Sequence, residues 1–182
     1  MELFLIVLRN VAIALAILYA IIVIIDVAFV SSFCSILAHH DHDLFMILVN
    51  KKDACIKLVE LLAEKGIRAK RKKVDALTNF DIKRIEHQNG EEAKVAREEL
   101  AFLVDYFLNL CRESKEVKSL DSFTLVESNL DELDTLYANH VVMYNADVLG
   151  FNFWITFYPT RFIYKIFKFK KKNIISYILN LT

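Results

Sequence analysis

The sequence predicts an all-α protein in which an N-terminal transmembrane helix is followed by an antiparallel bundle of three long helices plus a short C-terminal helix. Three observations predict this fold class. The 182 residues include only 3 Gly and 1 Pro, whereas all-β and α/β folds need many tight turns that these two residues supply. Apolar residues make up 55% of the chain and are concentrated at its two ends, which indicates a membrane segment. Between the ends, apolar residues recur with helical periodicity.

The first apolar segment runs from Leu3 to Ile25 and is interrupted only by Arg9 and Asn10. About 20 apolar residues suffice to cross the hydrocarbon core of a bilayer as a helix. We therefore expect a single-pass anchor over residues 3–25, with Arg9 near one interface and Asp26 near the other. A span over residues 11–37 is the alternative, but it would place Asp26 inside the bilayer at a high cost.

A cleaved signal peptide is the competing interpretation of the same segment. The sequence Ala-Phe-Val at 28–30 places Val30 where a cleavage site needs a small residue, so we expect the segment to be retained in the cell membrane. The side of the membrane that holds the rest of the chain stays open. Arg9 lies at the N-terminal end of the span, and the first basic residues after the span are Lys51 and Lys52. The numbers of basic residues on its two sides are therefore nearly equal, and the positive-inside rule does not decide the orientation.

Three segments beyond the anchor show the periodicity of amphipathic helices. The first runs from about Asp43 to Lys65 and is followed by Gly66, a typical C-terminal cap. The second runs from about Glu91 to Arg112, and the third begins near Asp121 or Ser122, which are good N-caps. Their apolar residues recur at three- and four-residue spacings and predict the core: Leu44, Leu48, Cys55, Leu58 and Leu62; Ala96, Leu100, Leu103, Phe107 and Leu110; Phe123, Val126, Leu130, Leu133, Tyr137, Val141, Tyr144 and Val148.

The composition changes after the third helix. The stretch 151–169 is rich in Phe, Tyr and Trp and is followed by three lysines at 170–172 and an apolar ending at 173–182. Pro159 is expected to end the third helix, and a short helix follows it. The expected organisation is therefore an anchor with a polar junction (1–38), a helical bundle (39–172) and an apolar tail (173–182). We expect the tail to be a loosely attached surface segment or a partner-binding segment.

The direction of the helices predicts the position of the aromatic stretch. If three helices alternate in direction, the third ends far from the membrane. Residues 158–169 then return only about 18 Å as a helix, whereas the third helix covers about 40 Å. We therefore expect aromatic residues of this stretch to close the membrane-distal end of the core: Trp154, Phe157, Phe162 and Phe167.

Residues 118–172, and more loosely 44–172, resemble the LemA family of bacterial membrane proteins. In that family a long helix begins with a Phe. A Tyr-Asn pair follows, and a second Asn lies seven residues after the first. An aromatic residue, Pro and two terminal Phe residues complete the signature, and an Asp lies in an upstream basic segment. The matching positions are Asp53, Phe123, Tyr144, Asn145, Asn152, Pro159, Phe167 and Phe169.

Three positions depart from the family pattern. A Pro expected between Asp53 and Leu58 is absent, a Glu-x-Tyr-Pro motif is missing near Cys111, and Lys168 replaces a Gly. These departures affect local backbone details and leave the fold expectation intact. The resemblance implies a helical bundle on one membrane anchor. It implies no reaction, because the family has no established activity.

The sequence HHDHD at 39–43 contains good ligands for transition metals. On a helix, His39 shares a face with both His42 and Asp43, so these three residues are the candidate ligands. A metal site needs three or four convergent ligands with supporting contacts. We therefore expect no metal or other cofactor, and interpret the stretch as a polar collar.

No pattern in the sequence indicates an enzyme. His87 and His140 are isolated, and neither a nucleophile elbow nor a Gly-rich phosphate loop is present. The charge is balanced, with 23 basic and 23 acidic residues, so nucleic acid is not an expected partner.

Asn145 and Asn152 lie two helical turns apart beside core residues, where they are expected to fix helix register or contact a partner.

Two functions are consistent with these expectations. The first is a non-enzymatic interaction, scaffold or accessory module of a membrane assembly, with lipid contact through residues 3–25 and an unidentified protein partner. The alternative is a lipid-binding or membrane-remodelling protein that acts through the aromatic-basic segment near the C-terminus.

Overall fold

The computed structural model describes residues 2–85, 90–156, 161–166 and 168–175. These residues form helices and no strand, which confirms the all-α prediction. The helices are α1, Glu2–Glu64; α2, Arg71–Thr78; α3, Glu91–Glu113; α4, Lys115–Lys118; α5, Asp121–Trp154; and α6, Arg161–Ile166, with one 3-10 turn at Ile82–Ile85 between α2 and α3.

Helix α1 joins two elements that were expected to be separate. The predicted anchor and the predicted first bundle helix both lie within it. The chain between Asp26 and Asp43 contains no Gly or Pro, so no residue there breaks the helical hydrogen bonding. The HHDHD stretch is consequently a part of α1 and not a junction between two helices.

Helix α1 ends in a Schellman motif built on Gly66. This residue has a φ of 70°, which glycine adopts without a steric penalty from a Cβ atom. Its N–H donates to the carbonyl of Ala63 at 3.0 Å, and the N–H of Ile67 donates to the carbonyl of Leu62 at 2.9 Å. These bonds satisfy two of the last carbonyls of the helix. The predicted cap is confirmed.

The chain divides into two compact units. The first unit comprises Met1–Leu37 and Asp147–Lys172, and the second comprises Ala38–Ala146 and Asn173–Thr182. Residues 147–172 therefore share a compact unit with the N-terminal apolar segment.

The predicted apolar stripes form the core of the second unit. Every predicted residue of α1 and of α5 in this unit is buried. On α3 the last position differs, because Leu110 is half-buried and Cys111 is buried in its place. Three- and four-residue steps are both compatible with helical periodicity, so the spacing from Phe107 could not distinguish these two residues.

Two cysteines are part of this core, as expected for small hydrophobic side chains. Cys55 and Cys111 are buried and free, and the Cys111 thiol donates to the carbonyl of Leu58 at 3.8 Å. Burial raises the pKa of Cys55 to about 12 and that of Cys111 to about 11. Both therefore remain protonated thiols at neutral pH, which suits a packing role.

The long helices of the second unit do not simply alternate in direction. Helix α5 runs antiparallel to α1, because Lys51 pairs with Asp134 and Asp43 lies beside His140. Helix α3 runs antiparallel to α5, since the two are joined by the short helix α4 and Arg112 pairs with Glu127 at 2.7 Å. Helices α1 and α3 consequently run in the same direction. The segment between them, which includes α2 and the 3-10 turn, brings the chain back so that α3 runs in the same direction as α1.

This direction corrects the expected position of the aromatic stretch. In the first unit the ring of Trp154 lies against the ring of Phe29 in α1, with centroids 5.2 Å apart. A Cβ atom on Gly150 would lie 3.2 Å from Phe33, so the two helices approach closely there. The prediction that Trp154 closes a membrane-distal core is therefore wrong. Phe157 and Phe167 lie outside the described residues, as does the side chain of Phe162.

Candidate functional site

Histidine and aspartate side chains meet where α1 and α5 pack in the second unit. On α1, His40 and Asp43 lie three residues apart and therefore share one face of the helix. On α5, His140 faces them. His40 is buried, with 8% of its surface exposed, and Asp43 and His140 are half-buried.

The geometry of this His-Asp cluster is compact. One ligand atom from each of His40, Asp43 and His140 lies within 4.8 Å of the other two. Asp43 Oδ2 is 3.8 Å from His140 Nδ1 and 3.5 Å from His39 Nε2. The rings of His40 and His140 have centroids 6.1 Å apart and are inclined at 71°. Two imidazoles and a carboxylate thus converge on one small volume.

One nitrogen in the cluster has an incomplete environment. His140 Nδ1 is shielded from solvent and makes no hydrogen bond within the described part of the chain. A buried polar atom without a hydrogen bond is costly. Asp43 Oδ2 is its nearest charged neighbour, but at 3.8 Å the separation is longer than a hydrogen bond.

The structure separates the predicted metal candidates. Asp43 is at the centre of the cluster, and His39 lies at its exposed edge. His42 is exposed and is not a member of the cluster. His40 and His140 were not predicted, because a single helical spacing on α1 cannot show which face meets α5. His140 is far away in sequence, and only the packing of two helices brings it close.

Two asparagines of α5 bind the backbone of the C-terminal segment. In the first unit, Asn152 Nδ2 donates to the carbonyl of Lys172 at 2.8 Å, and its Oδ1 accepts from the Lys172 N–H at 2.9 Å. In the second unit, Asn145 makes the same two bonds to Ile175, at 2.9 and 2.7 Å. Each amide therefore satisfies both polar groups of one residue, as a neighbouring strand would.

These bonds give the two asparagines a role that the sequence did not predict, which is attachment of the C-terminal segment to α5. Contact of either asparagine with a partner stays a prediction. Ile175 is buried and attached to Asn145, so the tail is not loosely attached as far as residue 175. The later residues lie outside the described part of the chain.

Lys172 belongs to the same compact unit as the apolar half of α1. Within the first unit, burial raises the pKa of the Cys34 thiol and the positive charge of Lys172 opposes this rise, which requires the two residues to be near one another. Cys34 follows Asp26 by about 12 Å along the helix. Aromatic residues and lysines therefore adjoin the segment that directly follows the predicted span.

The remaining family-motif positions have mixed environments. Phe123 and Tyr144 are buried in the core, and Asp53 is exposed. Phe169 packs against the rings of Phe151 and Tyr164, with centroids 6.4 and 6.0 Å away. The rest of the motif, Pro159 and Phe167, lies outside the described residues.

Taken with this geometry, the fold defines an all-α protein whose described residues contain one helix, α1, long and apolar enough to cross a membrane. No family model, curated protein or solved structure matches the chain.

Proposed function

We propose that the chain is a single-pass membrane protein of the LemA type that serves as a non-enzymatic interaction, scaffold or accessory module of a membrane assembly. The observation that carries this proposal is a second apolar stripe on α5. Leu125, Leu136 and Met143 recur at spacings of eleven and seven residues, which places them on one face. They lie about 120° around the helix from the buried stripe and are exposed, by 73% at Leu125 and 53% at Met143.

This outer stripe favours a protein partner. Exposed apolar residues on one side of a helix can contact an amphipathic partner helix, and Val142, next to Met143 in the sequence, is exposed as well. The amphipathic helix of a membrane-associated subunit would cover such a stripe. Helix α5 would then be buried on two sides, by the core of this chain on one side and by the partner on the other.

Replacement of Leu125 and Met143 by Ser should remove a partner without unfolding the chain, because exposed positions contribute little to stability. The full chain, purified in mild detergent from its native membrane, should return the same partner proteins in repeated experiments, and the double variant should lose them. Val95→Ser on α3 is the matched control, since Val95 is also apolar and exposed. A chain that is always recovered alone and monomeric would contradict the proposal.

A second candidate function is lipid binding through the aromatic-basic segment. The contact between Trp154 and Phe29 in the first unit favours it, because this contact brings the aromatic residues beside the apolar segment of α1. Trp and Tyr are enriched at membrane interfaces, and clustered lysines bind anionic headgroups. Quenching of Trp154 by brominated lipids measures whether this segment lies in the bilayer.

The same lysines suggest an orientation for the proposed anchor. Lys168 and Lys170–Lys172 belong to the first unit with the span, whereas Arg9 lies at the N-terminal end of the span. Attraction of these lysines to the anionic cytoplasmic leaflet favours a cytoplasmic position for the chain after residue 26. Protease added to intact cells should leave the bundle uncut, and cleavage should require disruption of the membrane. Cleavage in intact cells would reverse the orientation.

A further inference from the structure

We propose that His40, Asp43 and His140 bind a divalent transition-metal ion that links α1 to α5 in the second unit. This site is independent of the proposed interaction function. The donor set consists of two imidazoles and one carboxylate, which suits zinc, cobalt, nickel or copper. Magnesium and calcium prefer oxygen ligands and would find only one carboxylate here.

The distances between the donor atoms fit such an ion. Zinc lies about 2.0–2.2 Å from imidazole nitrogen and carboxylate oxygen, so tetrahedral ligand atoms lie about 3.4 Å from each other. Asp43 Oδ2 and His140 Nδ1 are 3.8 Å apart, and all three ligand atoms lie within 4.8 Å of one another. Small side-chain rotations are sufficient to close the site, without movement of either helix.

The surroundings also favour a metal ion. The cluster lies between two packed helices, with buried Leu44 on α1 and buried Val141 and Tyr144 on α5 close to it in sequence. These neighbours hold the ligands on fixed backbones, as a preformed site requires. The ion would supply the partner that His140 Nδ1 lacks within the described residues.

His39 offers a further donor. Its Nε2 atom lies 3.5 Å from Asp43 Oδ2, and three quarters of its side chain is exposed. It therefore stands at the solvent side of the three proposed ligands, where a fourth ligand completes tetrahedral coordination. A site with three buried or half-buried ligands and a fourth at the edge is accessible to an ion from solution.

The test uses the full chain, without an affinity tag that contains histidine, in detergent after treatment with a chelator. Zn²⁺ should bind with a stoichiometry of one in competition with a chromogenic chelator. Co²⁺ should give the intense visible absorption of a tetrahedral complex. Zn²⁺ at about 100 times its Kd should raise the Tm by about 5–10 °C, since the ion binds only the folded site.

Matched histidine variants separate a built site from surface histidines. His140→Ala should weaken Zn²⁺ binding by at least about 100-fold, more than the loss of a supporting residue, and Asp43→Asn should abolish the Co²⁺ spectrum. His42→Ala should bind as the parent does, because His42 is exposed and outside the cluster. Melting of each variant without metal verifies that it is folded. Equal losses for His42→Ala and His140→Ala, or no binding by the parent at micromolar Zn²⁺, would overturn the proposal.

Discussion

Replacement of Leu130 by Asp should unfold the helical bundle. Leu130 is 1% exposed and lies at the centre of the α5 stripe. The change removes about 1.5–3 kcal/mol of apolar burial and adds several kcal/mol for a buried carboxyl group without a partner. The total approaches the 5–15 kcal/mol of stability of a typical domain. Leu133→Asp should act in the same way, since Leu133 is also buried.

Thermal melting followed by circular dichroism measures this effect. The variant should lose the cooperative transition of the parent or show it at a much lower temperature. Asp131→Ala, one residue away on the exposed side of α5, is the control and should remain within roughly half a kcal/mol of the parent. Equal melting of Leu130→Asp and the parent would mean that α5 buries a different face.

Lipids with bromine atoms in their acyl chains should strongly quench Trp154 in the full chain reconstituted in vesicles. Trp154 is the single tryptophan and contacts Phe29. Phe29 lies four residues beyond Ile25, or about 6 Å along the helix. On the proposed 3–25 span this is the membrane interface. Bromine near the headgroup end of the chain should therefore quench more than bromine at mid-chain.

Strong quenching of Trp154 would be the opposite of the expectation from sequence, in which the aromatic stretch lies far from the bilayer. A control protein with Trp154→Phe and Phe102→Trp moves the fluorophore to an exposed position on α3 in the second unit. Its emission should be insensitive to bromine. Equal insensitivity of Trp154 would exclude lipid contact by this segment and with it the lipid-binding candidate.

Helical periodicity identified most of the secondary structure and core because it is a local property. The predicted second helix, Glu91–Arg112, differs from α3 by one residue, and α5 begins at the predicted Asp121. The Gly66 cap was also predictable, because it depends on one residue and its neighbours. The end of α5 and the continuity of α1 depend on which side chains break a helix, and they were predicted less well.

Properties that depend on chain direction could not be read from periodicity. An apolar stripe has the same pattern whichever way its helix runs, so the return of the chain between Gly66 and Gly90 was missed. That return places the end of α5 beside α1 in the first unit. The partners of His140 and Asn152 were missed for a related reason, since each depends on a segment that is distant in sequence.

The attachment of Lys172 to Asn152 uses only backbone atoms of the lysine. Any residue except proline, which lacks an N–H, offers the same donor and acceptor at this position. The charge of the C-terminal segment can therefore change without loosening this bond. A substitution in this short segment can therefore change its affinity for an anionic surface while these hydrogen bonds still attach it to α5.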